Sequence, residues 1–489
     1  MGLSNLYKVT IGTLICPQET KKEGQLMKLI GENCGVFGIV KDTDCVEDIY
    51  RGLDFLQHRG QQFCGMATYN GKRIYQITHY GQVGNTFTPH ELESFKGNTG
   101  IGHVSLNERQ PMVWQGAVGE IAVAFSGNII NSEALLEEMK DKGEAFYHGL
   151  DIEIISKLIM QEKNVVTGIS MLAQKIKGAY SLVVLTQDGI YAARDIYGFR
   201  PLMLGEGSNA FMVSSESRAV QSSGFKCTRD VRPGEIVFIT KKGFETRQKL
   251  KSPRRAHCAF EWAYTASMDS KIDGLYVQEA RNNLGKSLAE RDIEEGGIQA
   301  DLVAPVPMSG IGHALGYHMA SGLPYQEVFL YNRYADRSYT QLTQEDRDRM
   351  AKKKLSVLEY AIRDKRIVLC DDSIVRGTQI REKVRELKNA GAKEVHVRIA
   401  CPPLMYPCDF GISTRTYEEL LARQYLSEGN ITTMDELKAL EAWVFEKIGA
   451  DSVKYNGLEA FVAALKIPKE DLCLKCWDGN WPMGSGLDI

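Results

Sequence analysis

Lys365-Arg366-Ile367-Val368-Leu369-Cys370-Asp371-Asp372-Ser373-Ile374-Val375-Arg376-Gly377-Thr378 passes from an apolar run to an acidic pair, and then to a glycine flanked by hydroxyls. Ile367 to Leu369 shows no polar alternation, as expected of a central parallel strand covered on both faces. Asp371 and Asp372 stand at its carboxyl end, where open α/β sheets bind ligands. Ser373 to Thr378 then leads into a helical pattern, whose free N–H groups and positive dipole end suit a phosphate. The acidic pair is placed to face ribose hydroxyls or a hydrated magnesium ion. A turn that only caps a helix uses the same residue types singly, so the order of the whole segment carries the reading.

Around this stretch the second half of the chain alternates strand and helix. Asp301-Leu-Val-Ala-Pro-Val306 precedes a helix from Ile311, Arg366 to Cys370 precedes a helix from Thr378, and Glu394 to Ala400 is a further strand. Such alternation implies a parallel sheet with helices on its faces. Upstream, from Glu32 to about residue 240, short β-rich runs dominate, such as Glu120 to Phe125, Tyr180 to Leu185 and Gly234 to Ile239. Two helical patterns interrupt them, near Ser132 to Lys140 and Ile152 to Glu162. Between Lys241 and His257 the composition turns basic and proline-containing, which predicts a boundary near residue 250. Residues 1–33 read as a leader, 34–250 as one domain and 251–489 as a second.

A chain of 489 residues with 43% apolar content is large enough for two or three cores. A net charge of −3 offers no basic footprint for nucleic acid and points to small metabolites. The apolar run from Val9 to Cys16 lacks membrane-spanning length and a small-residue cleavage site, so a cytoplasmic protein without a membrane partner is expected. Eleven cysteines in such a chain suggest reduced thiols, metal ligation or catalysis more than a disulfide framework.

The segment Val368 to Thr378 resembles the phosphoribosyl pyrophosphate loop of type I phosphoribosyltransferases, and among them that of the glutamine phosphoribosylpyrophosphate amidotransferases. The likeness extends through Cys34-Gly-Val-Phe-Gly38, Leu56-Gln-His-Arg-Gly-Gln61, Gly102-His103-Val104, Gly178-Ala-Tyr-Ser-Leu182, Arg194-Asp195, Ser215-Glu216-Ser217, Phe260-Glu261, Pro305-Val-Pro307, Asn332-Arg-Tyr334 and Cys401-Pro-Pro403. It implies an α+β N-terminal-nucleophile glutaminase, an αββα sandwich, followed by an α/β type I phosphoribosyltransferase domain. Cys34, exposed by removal of the leader, is then the nucleophile, with its free α-amine as base. Ser126 and Gly127 occupy the oxyanion hole, and Asp151 is the acid for the glutamine α-amine. Ser309, Arg337 and residues Ser373, Ile374, Val375, Arg376, Gly377 and Thr378 bind phosphoribosyl pyrophosphate, while Asp371 and Asp372 hold magnesium. The implied product is 5-phosphoribosylamine, the first intermediate of purine synthesis, made with ammonia that is free or drawn from glutamine. Purine nucleotide inhibitors and a homo-oligomer are likewise implied.

The chain departs from this pattern at the glutamine site. Ser105-Leu106 stands where the family has Arg-Tyr, and serine cannot make the bidentate charged contact that holds an α-carboxylate. Phe125-Ser126-Gly127-Asn128 replaces His-Asn-Gly-Asn, and losing one oxyanion donor typically costs ~10²–10³ in turnover. Met308 precedes Ser309-Gly310 where relatives carry an acid, and Ala266-Ser267-Met268-Asp269-Ser270 and Asp336-Arg337-Ser338-Tyr339 also differ. An impaired glutaminase beside a working transferase is therefore expected. A paralogue acting on another amine, and a non-catalytic nucleotide-sensing subunit, are the competing readings.

Cys473-Leu-Lys-Cys476 taken alone is readable as a zinc or redox pair. In iron–sulfur members of the family, cysteines matching Cys258, Cys408, Cys473 and Cys476 hold a [4Fe–4S] cluster, and all four positions are filled here.

Overall fold

The computed structural model describes residues 34–331, 355–412, 414 and 416–484. The expected leader, Arg337 and the Asn332 to Tyr334 marker lie outside the described residues.

Two antiparallel sheets are stacked in the first half. One has seven strands, in the order Lys226–Asp230, Met203–Gly207, Ala210–Ser214, Gly35–Lys41, Thr99–Ser105, Phe63–Tyr69, Ile74–Tyr80. The other has six: Gly243–Lys249, Glu235–Thr240, Gly189–Arg194, Gly178–Thr186, Gly119–Ile129, Met112–Gly116. Both faces of each sheet are covered, which explains why the strands read as continuous apolar runs. Val36 and Val40 point into the core between the sheets with Ala122, Ala124 and Val183. Phe37 and Ile39, one residue out of phase, pack under the helices with Ile49, Leu53 and Val220. On the far side, Ile121, Val123 and Phe125 meet Ile152, Ile155 and Leu158 of the helix Asp151–Met160. This period-two partition between layers builds the expected αββα sandwich.

The two expected helices are present as Ser132–Asp141 and Asp151–Met160. The sandwich also carries Val46–Phe55 and Val165–Lys175, which the sequence reading lacked. The second is rich in β-branched residues and looks strand-like in isolation. Its start is fixed by a capping box in which Asn164 accepts from the Thr167 backbone N–H at 3.0 Å. The basic stretch after Lys241 is partly strand, since Gly243–Lys249 pairs with Glu235–Thr240.

In the second half, four parallel strands run in the order Leu302–Pro305, Arg366–Asp371, Glu394–Ile399, Ser452–Tyr455. Ile367 and Leu369 enter one core with Val384, Val397 and Val444. Val368 and Cys370 enter the opposite core with Leu284, Ala314 and Tyr317. That second core also contains Tyr197 and Phe199 of the first half and all four candidate cluster cysteines, so the halves share one interior. Phe199 stacks on Phe410 at 4.2 Å between ring centroids. Among the described residues, no helix is long and apolar enough to cross a membrane.

Candidate active sites

The strand Arg366–Asp371 delivers both carboxylates to the carboxyl edge of the parallel sheet, and the chain re-enters regular structure at the helix Thr378–Asn389. Gly377, immediately before the helix, has φ +76°. A side chain there would also meet Leu421 Cδ2 at 2.8 Å, so glycine is required for conformation and for space. Leu421 N–H donates to Val375 O at 2.7 Å and pins the turn from outside. Ile374 buries its side chain in the core, leaving its backbone to the turn, whereas Arg376 is exposed and paired with Glu419.

Ser309 comes from the turn before the helix Ile311–Ser321, and its hydroxyl donates to Asp371 Oδ1 at 2.6 Å. The Ser373 hydroxyl donates to Asp372 Oδ2 at 2.5 Å. Burial, and then the adjacent Asp372 charge, push the Asp371 carboxyl well above the usual range; burial raises Asp372 as well. Two buried carboxyls side by side each oppose the other's ionisation, and such a perturbed pair marks a candidate functional site. Beneath them lies Arg281, absent from the sequence reading. Its guanidinium donates to Trp262 O at 3.0 Å and to Tyr264 O and Ala266 O at 2.7 Å each, and its charge favours the ionised form of Asp372.

In the sandwich, Cys34 immediately precedes the strand Gly35–Lys41, and the pairing of Gly35 with Val104 puts it opposite Ser105. Ser126 Oγ donates to the Cys34 carbonyl at 2.7 Å. Gly127 has φ +154°, and a Cβ on it would stand 1.9 Å from Ala179 O, so no other residue fits this strand crossing. Asp151, at the start of its helix, accepts from Ile129 N–H at 3.0 Å. The Gly119–Ile129 strand thus gathers Cys34, Ser126, Gly127 and Asp151. The hydroxyl at 105 is fully buried and closed on its own turn: it accepts from Glu108 N–H at 3.2 Å and donates to Glu108 O at 2.5 Å. His103, buried beside it, accepts no proton readily; desolvation lowers it to about 3.

Cys258 is paired with Cys473 across a short parallel bridge, and Cys476 lies two residues into the next turn of the tail. All four thiols, Cys408 included, are buried and free of disulfides, and Cys476 feels the charge of the other three. A hydrogen bond with Cys476 lowers Cys408 to about 6, and the same bond raises Cys476. Among the described residues no group of three or more His, Cys, Asp or Glu side chains is arranged to hold a metal ion. The four buried thiols come from three chain segments and are the donor type that iron–sulfur clusters take.

A family model described as a glutamine amidotransferase domain matches residues 101–222. The amidophosphoribosyltransferase of Methanothermobacter thermautotrophicus is 38% identical over 475 residues, covering 94% of this chain and 96% of that relative. The Bacillus subtilis amidophosphoribosyltransferase is 34% identical over 475 residues, covering 93% and 95%. A solved structure described as glutamine phosphoribosylpyrophosphate amidotransferase from B. subtilis complexed with ADP and GMP superposes with a TM-score of 0.83 at 34% identity, covering 92% of this chain and 97% of that one.

Proposed function

This chain belongs to the amidophosphoribosyltransferase family, as a pentosyltransferase with a glutamine amidotransferase domain acting at the first step of purine synthesis, and from that premise we propose how its own residues perform the reaction. The observation that carries the proposal is the assembled strand, acidic pair, glycine turn and helix at 366–378, with Ser309 bonded to Asp371. The Gly377 turn and the helix N-terminus hold the 5′-phosphate of phosphoribosyl pyrophosphate, with Ser373, Ile374, Val375, Arg376 and Thr378 supplying backbone and hydroxyl donors. Asp371 and Asp372 steady the ribose and would hold a magnesium ion, which when bound would supply positive charge to a pyrophosphate leaving group. Ser309 orients Asp371, and Arg337, outside the described residues, is carried over from the family resemblance as a substrate-binding residue. Ammonia then attacks the anomeric carbon as the bond to pyrophosphate breaks, and the nitrogen loses a proton to give 5-phosphoribosylamine.

In the first unit, residues 34–250, Cys34 is the nucleophile freed from the 1–33 leader, Asp151 receives the α-ammonium of glutamine, and Ser126 and Gly127 face the oxyanion. Residues 251–489 form the transferase unit. The hydroxyls at 105 and 126 are already committed to Glu108 and Cys34. That favours weak glutamine use beside full use of free ammonia. Near-full-length similarity to enzymes favours catalysis over a sensing subunit. ADP and GMP bound to the B. subtilis protein support purine nucleotides as inhibitors, and a homo-oligomer follows from the family resemblance alone.

Cys258, Cys408, Cys473 and Cys476 would hold the [4Fe–4S] cluster, whose contribution there is cross-linking of the sheet domain to its tail. Anaerobically purified protein should be brown, with about four irons per chain; colourless protein without iron overturns the assignment. For the reaction, pyrophosphate release is measured with ammonium, with glutamine and with a panel of amines, alongside glutamate release. Release with ammonium supports the reading, and its absence with every amine overturns it. Glutamate turnover equal to the ammonium rate overturns the weak-glutamine reading.

A further inference from the structure

Cys34 opens onto the layer between the two sheets, and the polar groups at that end of the layer are mostly acceptors. Along the strand Thr99–Ser105 the side chains alternate: Val104 packs under the helices while Ile101 enters the core between the sheets, so His103 and Ser105 face inward with Ile101. On the neighbouring strand Val36 points inward, and Cys34, two residues earlier, falls on the same side. Ser126 meets them from the opposite sheet through its bond to the Cys34 carbonyl at 2.7 Å.

Three acceptors belong to this end. Glu108 is only 8% exposed and sits in the turn that the Ser105 hydroxyl closes. Its carboxylate accepts from Gln110 Nε2 at 3.0 Å, and Gln110 Oε1 accepts from Phe125 N–H at 2.8 Å, which ties the acid to the residue before Ser126. Asp151, also buried, accepts from Ile129 N–H on the same strand. The third is His103. A carbonyl can only accept, so the 3.0 Å contact of His103 Nε2 with Phe125 O makes Nε2 the protonated nitrogen and leaves Nδ1 with a bare lone pair. Nδ1 is buried without a hydrogen-bond partner among the described residues. Nearby cations are engaged elsewhere: Arg59 pairs with Glu216 and Glu261, and Arg109 is exposed with its guanidinium 5.9 Å from the Phe63 ring centre. Such a layer stabilises an ammonium group and opposes a further negative charge, which would lose its hydration without gaining a donor.

We propose that the thiol site selects amides that carry a cationic amine and no carboxylate beside it, with Glu108 as the residue that sets the preference. The inference rests on the reading of Cys34 as the nucleophile and of Asp151 as the receiver of the ammonium group. Asp151 serves an amino amide and glutamine alike. Glu108 and the His103 lone pair tell them apart, because they accept from the remaining ammonium N–H groups and repel an α-carboxylate. The chemistry at the amide is unchanged. The Cys34 sulfur bonds to the carbonyl carbon as the carbon–nitrogen bond breaks, and the thiol proton leaves with the nitrogen as ammonia. Water then cleaves the thioester, which restores the thiol and releases an ω-amino acid.

The test measures ammonia release by the full-length protein from three amides: glutamine, γ-aminobutyramide, which lacks only the carboxylate, and glutaramate, which lacks only the amine. Wild type should favour γ-aminobutyramide over glutamine by about tenfold or more in kcat/KM, with glutaramate the poorest substrate. Glu108→Gln keeps the size and the hydrogen bonding without the charge, and should cut that ratio by about threefold or more, chiefly by improving glutamine. Glu108→Asp, which withdraws the carboxylate by one methylene, serves if Glu108→Gln does not fold, and should cut the ratio likewise. A wild-type ratio under about threefold, or an undiminished ratio in either folded variant, overturns the selectivity and leaves Cys34 as the nucleophile. No ammonia from any of the three overturns the reading of Cys34 itself, and the selectivity with it.

Discussion

Gly127 is the residue whose replacement best separates the two halves of the chemistry. Its Cβ would collide with Ala179 O, a backbone atom that cannot swing aside. Gly127→Ala should abolish glutamate release and lower stability by about 1–3 kcal/mol. Ammonium-driven pyrophosphate release should persist, and its loss in a folded variant would count against separate chemistry. At the other site, Asp372→Asn removes one carboxylate from a pair pushed upward by burial. Pyrophosphate release with ammonium should fall by about 10²-fold or more, the size of loss typical for one preorganised electrostatic contact; a change under threefold would exclude the pair from the reacting site. The acidic pair was legible because it sits next to its turn along the chain, whereas Gly127, whose neighbour Ala179 is distant in sequence, was read only through the family resemblance. Glu216 and Glu261 were visible only as family markers without a role. Their partner Arg59 is 157 and 202 residues away, and only the packed fold brings the three together.

At the scale of elements, strand, acidic pair, turn and helix at 366–378 form where the sequence places them. An apolar run, a left-handed glycine and a helical period are local signals. The helix Val165–Lys175 was not legible, because β-branched residues weaken the helical signal and its capping box and packed face decide the outcome. The turn before Thr378–Asn389 yields a further prediction. Gly377→Ala combines a φ of +76° with a contact of 2.8 Å to Leu421, and should cost about 1–3 kcal/mol locally. The KM for phosphoribosyl pyrophosphate should rise by tenfold or more, with iron content unchanged. A KM within twofold of wild type would remove the turn from the phosphate subsite.

For the whole molecule, buried titrating groups oppose one another as pH falls. Desolvation lowers His103 and His313 to about 3, so each loses stability on acidification below an ordinary value of 6.5. Desolvation raises Asp195 to about 6 and Asp230 to about 7, and raises Asp371 as well. A carboxyl raised in the folded state binds its proton while the unfolded chain has lost it, so these three gain stability from pH 7 down to 3.8. Below 3.8 that gain ends, while the imidazoles continue to lose. Despite desolvation, Arg398 and Lys454 hold Asp292 down at about 2, so its contribution is lost there too. The urea midpoint should be no lower at pH 4.5 than at pH 7 and should drop sharply by pH 3. A steady fall from pH 7 to 4.5 would contradict this balance.

The interior shared by Tyr197, Phe199, Phe410, Cys258 and Cys408 carries a consequence for how such a protein can be taken apart. A piece ending near residue 250 would leave Phe199 without its stacking partner, and the remainder would open its cysteine-lined core to water. Neither gene fragment is an independent module. Exchanging one half for that of a distant relative would require re-fitting a buried seam of aromatic rings and thiols, so the two halves are bound to be inherited, and to diverge, together.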